Sequence, residues 1–147
     1  MKIDKIYDVV ITSPGGYPID QDLYQTQKAF THASYATKEK GKIIVFSPCT
    51  RGWGSEDFMK ITMNLKDIDE TINNLRENFS VGKHKLLFFL ELAKKYNLYL
   101  YSDFDFSNSP LTKFINIISE NDLYKIISTD ESLAILMGGG DFTVPII

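Results

Sequence analysis

Five short apolar runs, separated by helical stretches, constrain the fold of this chain more than any other feature. Ile6–Ser13 (IYDVVITS), Lys42–Ser47 (KIIVFS), Asn97–Ser102 (NLYLYS), Ile115–Ile118 and Ser132–Met137 (SLAILM) read as buried strands, rich in β-branched and aromatic residues. Breakers close three of them: Pro14-Gly15-Gly16, Pro48, and Gly138-Gly139-Gly140. Between the strands lies helical spacing. A first helix runs to about Ala36, with Asp20 as its expected N-cap and Leu23, Ala29, Phe30 and Ala33 on its core face. Lys38–Gly41 is expected to end it. Ser55 is placed to cap the next helix, and Ile68, Ile72, Leu75 and Phe79 form a stripe along Asp67–Phe79. The helix His84–Tyr96 is so apolar through Leu86–Leu92 that it must be largely buried, Pro110 is expected to start a short helix over Ser109–Phe114, and Asp122–Ser128 reads as a last helix.

Short apolar strands alternating with helices argue for an α/β fold. The expectation is a three-layer, Rossmann-like, mainly parallel sheet flanked by helices on both faces. A length of 147 residues suits one such domain. Sheets of this kind bind ligands at the carboxyl ends of their strands, so the loops Ser13–Asp20, Pro48–Ser55 and Gly138–Val144 are the functional candidates. Sixteen Lys and Arg against nineteen Asp and Glu give a net charge of −3, which excludes a strongly basic nucleic-acid footprint though not a local patch. One cysteine, Cys49, cannot form an internal disulfide, and with two histidines, His32 and His84, it makes a poor metal kit. No apolar run is long enough for a signal peptide or a membrane span, so a cytoplasmic protein is expected. Gly138–Gly140 lacks the Lys-Ser/Thr of a phosphate loop and no G-x-G-x-x-G is present, which lowers a nucleotide-binding reading.

The residues with chemistry to offer follow the first strand. Tyr24, Gln25 and Lys28 occupy positions i, i+1 and i+4 of a helix, so all three project within about one quarter of its surface. A cation, an amide and a phenol on one face make a receptor for a small carboxylate. The same three residues also suit an ordinary solvated helix face. Gly15 and Gly16 upstream remove side chains where a ligand would approach the backbone. His32, in mid-helix beside Ala33, suits a structural or surface role. Trp53, between two glycines, is expected to pack rather than to serve as a mobile flap. Cys49 is expected to pack at a strand end, with no histidine nearby in the sequence to activate it.

Val9–Phe30 (VVITSPGGYPIDQDLYQTQKAF) closely resembles the start of the C-terminal domain of the nickel-pincer lactate racemase family. That family's pattern is a strand, an S-x-G-G-Y-P turn, then D-x-x-L-Y-Q-x-x-K-A. Ser13, Gly15, Gly16, Tyr17, Pro18, Asp20, Leu23, Tyr24, Gln25, Lys28 and Ala29 all match it. Cys49–Ser55 resembles the family's C-x-E-G-x-G-S turn, with Arg51 in place of the usual acid. Gly82-Lys83-His84-Lys85 resembles its G-x-H-K helix start, and Gly139–Pro145 its closing G-x-T-x-P.

The resemblance implies a two-domain enzyme that interconverts stereoisomers of small 2-hydroxy acids. Its cofactor is a nickel-pincer nucleotide tethered to a lysine; a histidine takes the hydroxyl proton while hydride passes to the cofactor and back. In that family the tethering lysine, the nickel-ligating histidine and the catalytic histidines belong to the N-terminal domain. The C-terminal domain closes over the cofactor and supplies the residues matching Tyr24, Gln25 and Lys28 to the substrate. By this resemblance His84 is a further candidate, and the chain itself carries no catalytic residue, no metal ligand and no cofactor. An isolated chain is then expected to be inactive, with the start so close to Ile6–Ser13 fitting a cut near a domain hinge. The alternative from a different class is a stand-alone, non-catalytic module that binds a carboxylate or a partner chain.

Overall fold

The computed structural model describes residues 2–136 and 144–146. The loop Gly138–Val144 therefore falls outside the described residues except for Val144, as does Met137 at the end of the last expected strand. Within the described residues the expected strands are present: β1 (Tyr7–Thr12), β2 (Thr37–Phe46), β3 (Asn97–Tyr101), β4 (Asn116–Ile118) and β5 (Leu133–Leu136). They form one sheet in the order β4-β3-β2-β1-β5, and every pairing is parallel. The helices are α1 (Leu23–Ser34), α2 (Glu56–Met63), α3 (Ile68–Glu77), α4 (His84–Lys95) and α5 (Glu120–Ile126). A 3-10 turn at Pro110–Lys113 takes the place of the short helix that Pro110 was expected to start. This is the α/β architecture expected from the alternation of strands and helices. No helix among the described residues is long and apolar enough to cross a membrane.

Three steps in one direction, β1 to β2 to β3 to β4, lay α1 to α4 on one face of the sheet, given right-handed crossovers. The return from β4 to β5 passes the other way and carries α5. Side chains alternate between faces along each strand. Val10, Ile43, Val45, Leu98 and Leu100 turn one way and join Leu23, Phe30, Phe58, Leu86, Phe89 and Leu90 in the main core. Phe30, Phe58 and Phe89 stack through its centre, with Phe30–Phe89 edge-to-face at 5.4 Å and Phe58–Phe89 stacked at 6.1 Å. Val9 and Ile44 are buried on the opposite face. There α5 contributes no buried residue, and Ile135 of β5 is 60% exposed. The expected last buried strand is thus an edge strand with one buried residue, Leu136.

Four boundaries differ from the sequence reading, each for a local reason. Asp20 lies in a 3-10 turn (Ile19–Gln21), and Asp22 is the cap of α1: its backbone is extended, and its carboxylate accepts from the Gln25 N–H at 2.8 Å. Lys38–Gly41 does not end a helix but belongs to β2, whose pairing with β1 shifts across a bulge between the Tyr7–Thr37 and Val9–Lys42 pairs. Phe79 lies beyond the end of α3 and is 60% exposed, leaving Ile72 and Leu75 as its buried stripe. The last helix starts at Glu120 because Ser119 and Asp122 form a capping box.

Candidate functional site

The first turn of α1 is held by its surroundings. A helix begins with backbone N–H groups that have no partner within it. Here Leu23 N–H donates to the Gly52 carbonyl at 2.9 Å, Tyr24 N–H to the Trp53 carbonyl at 3.2 Å, and Gln25 N–H to the Asp22 carboxylate. The Pro48–Ser55 loop therefore fixes where Tyr24 and Gln25 start. The loop can turn this way because Gly52 and Gly54 have positive φ, and a Cβ at Gly54 would overlap the Asp22 carboxyl. Trp53 packs edge-to-face on Phe58 and Phe106, at 5.8 and 5.2 Å, as the packing reading expected. Cys49 is buried at the end of β2 with Thr26 and Ser47, and burial pushes its thiol pKa up. Such a thiol is a poor nucleophile.

α1 and α4 lie side by side, and both begin at the carboxyl edge of the sheet, where ligands bind in this architecture. Tyr24, half-buried, meets the His84 ring edge-on at 6.1 Å, so two of the expected residues touch. Phe79 and Phe88 flank His84 at 5.8 and 5.5 Å. The Gly82 N–H donates to His84 Nδ1 at 3.2 Å, which leaves the proton of the neutral ring on Nε2. Burial, and then the nearby Lys85 ammonium, lower the His84 pKa and favour that neutral ring. Lys28 is exposed and lines a groove of about 580 Å³ between α1 and α4. Gln25 is half-buried in the first turn but is not among the residues that line the groove. Gly15 and Gly16 have positive φ, and a Cβ built at Gly16 meets nothing within 4 Å, so the backbone there is open. His32 is half-buried in the same groove.

The sequence reading missed Lys85. It is only 7% exposed, donates to Gln27 Oε1 at 3.0 Å, and sits 5.3 Å from the centroid of the Tyr24 ring. Burial first, and then the Lys28 charge, lower its pKa to about 8. A signal existed: Lys85 stands four residues before the buried Phe89, so it shares the buried face of an apolar helix.

The groove thus gathers cations, rings and an amide, while Asp57 of α2 lies beside Gly82 at the His84 end. Glu91 also lines the groove, but Arg76 holds it at 2.8 and 3.0 Å. This donor set suits an anion. It does not suit a nickel ion, and no three His, Cys, Asp or Glu side chains gather to hold a metal among the described residues.

Against known proteins, the family model for the lactate racemase C-terminal domain matches residues 3–84, more than half of the chain. The chain belongs to the lactate racemase C-terminal domain family. The match spans β1, α1, the Pro48–Ser55 loop and the first residue of α4, and so takes in Tyr24, Gln25, Lys28 and His84 but stops short of Lys85. Two curated relatives named lactate racemase are each 41% identical to it, over 68 residues in Thermoanaerobacterium thermosaccharolyticum and 63 residues in Lactiplantibacillus plantarum. These matches cover 46% and 43% of this chain but only 16% and 14% of the relatives. The solved lactate racemase apoprotein from T. thermosaccharolyticum superposes on 97% of this chain with a TM-score of 0.82 at 23% identity, which is a likeness of fold. This chain corresponds to 36% of that one.

Proposed function

We propose that this chain is a single domain forming the substrate side of a two-domain racemase or epimerase of small 2-hydroxy acids. It works at a cleft against an N-terminal racemase domain carried on the same or a separate chain. The observation that supports this most is the acid-poor face where Lys28, Tyr24, His84 and Lys85 converge at the start of α1 and α4, in a chain of this family. A 2-hydroxy acid presents a carboxylate, and Lys28 pairs with it through charge-assisted hydrogen bonds worth about 1.5–3 kcal/mol each. Gln25 adds an amide hydrogen bond and Tyr24 bounds the pocket. His84, neutral with its proton on Nε2, donates to the substrate rather than repelling or attracting its charge. The open backbone at Gly15 and Gly16 lets the ligand approach the strand end.

In this reading the nickel-pincer nucleotide implied by the sequence resemblance would supply hydride-transfer chemistry when bound, and the N-terminal domain would hold it. The residues here bind and orient substrate and take no part in ligating the metal. The reading is tested by Lys28→Ala in the complete two-domain enzyme. We expect kcat/KM for 2-hydroxy-acid racemisation to fall by about one to two orders of magnitude. Kinetics equal to those of the unaltered enzyme would overturn the assignment of Lys28.

A further inference from the structure

Lys85 combines three features that a purely structural lysine does not need. Its ammonium is buried and lacks an acid: none of the ion pairs among the described residues includes it. Its polar partner is Gln27 Oε1 at 3.0 Å, and Gln27, itself 2% exposed, is fixed in turn by its bond to Thr31. It also lines the same groove as the exposed Lys28. An ammonium has three N–H groups. One goes to Gln27 and the Tyr24 ring faces the charge from 5.3 Å, which leaves donor capacity toward the groove. Burying a cation without a counter-ion is unfavourable unless something offsets it.

We infer that Lys85 and Lys28 together form an anion subsite in the α1/α4 groove, oriented by Gln27, which takes a carboxylate or phosphate oxygen. This rests on the proposed racemase reading and deepens it by giving the substrate side a second, buried cation. The groups facing Lys85 agree. Tyr24, Gln27 and Lys28 of α1 and His84 of α4 neighbour it. His32, Tyr35, Glu91, Lys95 and Tyr96 line the groove beyond, and Asp57 of α2 lies beside Gly82. The one carboxylate lining the groove among the described residues, Glu91, is already held by Arg76 of α3. The depressed pKa of Lys85 also fits a cation waiting for its counter-ion, since a bound anion would favour the charged form and restore the proton.

The test is a titration of the 147-residue chain followed by side-chain NMR of the lysine ammonium groups, with DL-lactate in one arm and inorganic phosphate in the other. We expect the Lys85 pKa to rise by at least about one unit with the anion that the subsite takes, and the affinity for that anion to fall about tenfold between pH 7 and pH 10. Lys85→Met should abolish binding-induced shifts at Tyr24 and His84 while leaving the amide spectrum folded, and Lys85→Arg should restore most of them. A response to lactate identifies a carboxylate ligand, and a response to phosphate alone identifies a phosphate. If neither anion moves Lys85 the inference is overturned, even where lactate still binds through Lys28 and the racemase reading stands. If phosphate moves Lys85 while Lys28→Ala leaves racemisation intact, the subsite survives and the substrate assignment falls.

Discussion

A lysine on the buried face of α4 costs stability, and the sign of that cost can be measured. Lys85 has its pKa lowered from the usual lysine value of 10.5 to about 8, so between those values the unfolded chain binds more protons than the folded one. Stability contributed by this group is therefore present above about pH 10.5 and is lost as the pH falls through about 8. Lys85→Met removes the penalty. We expect it to stabilise the fold by about 1–3 kcal/mol at pH 7, with the gain vanishing by about pH 10.5. Denaturant unfolding of both forms across that pH range measures the effect; an equal or lower stability of the variant at pH 7 would mean that Lys85 is well satisfied in the free protein. A penalty of the expected size would accord with the proposed anion subsite. Tyr24, Gln25 and Lys28 sit on a helix face legible from their spacing, whereas Lys85 is hidden at the head of the run Leu86–Leu92, where apolar pattern dominates.

At the scale of elements, the Pro48–Ser55 loop is the support of the site. Its Gly52 and Trp53 carbonyls receive the first two amides of α1, and Gly54 packs against Asp22, the side chain that caps the third. Gly54→Ala forces a Cβ onto Asp22 in a left-handed conformation and should destabilise the fold by about 1–3 kcal/mol. Gly16→Ala is the control. It has positive φ as well but open space around it, and should cost only the conformational part, about 1 kcal/mol. Chemical denaturation separates the two; equal losses would show that the Asp22 cap is not at stake. The strand centres were legible because β-branched runs such as Val9–Ile11 and Ile43–Val45 carry no ambiguity. The start of β2 was not, because Lys38-Glu39-Lys40-Gly41 has turn composition and is drawn into the sheet by tertiary contacts: the pairing of Thr37 with Tyr7, the Lys38–Asp8 ion pair and the Asn97 amide on the Lys40 carbonyl. The choice between Asp20 and Asp22 as cap was equally hidden, since it depends on which carboxylate the loop brings to the Gln25 amide.

At the scale of the whole molecule, the groove cations Lys28 and Lys85 lie close to two exposed rings. Phe79 and Phe88, both exposed, flank His84, and Phe88 lines the groove together with Lys28 and Lys85. An apolar rim around a charged pocket is what a second surface must cover if substrate is to be sealed from water, and charged contacts strengthen as water is excluded. The chain spans about a third of the solved lactate racemase it resembles in fold, and under the proposed function the covering surface would come from the N-terminal domain. We therefore expect the purified 147-residue chain to leave enantiopure lactate unchanged. Co-expressed with the portion of the T. thermosaccharolyticum lactate racemase that lies outside the match, and supplied with the biosynthetic route to the cofactor, it should support racemisation. Phe88→Ser, at an exposed rim position, should weaken that complementation by about tenfold through loss of apolar contact, while Lys28→Ala lowers turnover in the assembled pair. Chiral chromatography of the product reads all four cases. Racemisation by the chain alone would place the whole chemistry within these residues and overturn the division of labour, whereas complementation that is indifferent to Phe88 would move the covering surface elsewhere on the fold.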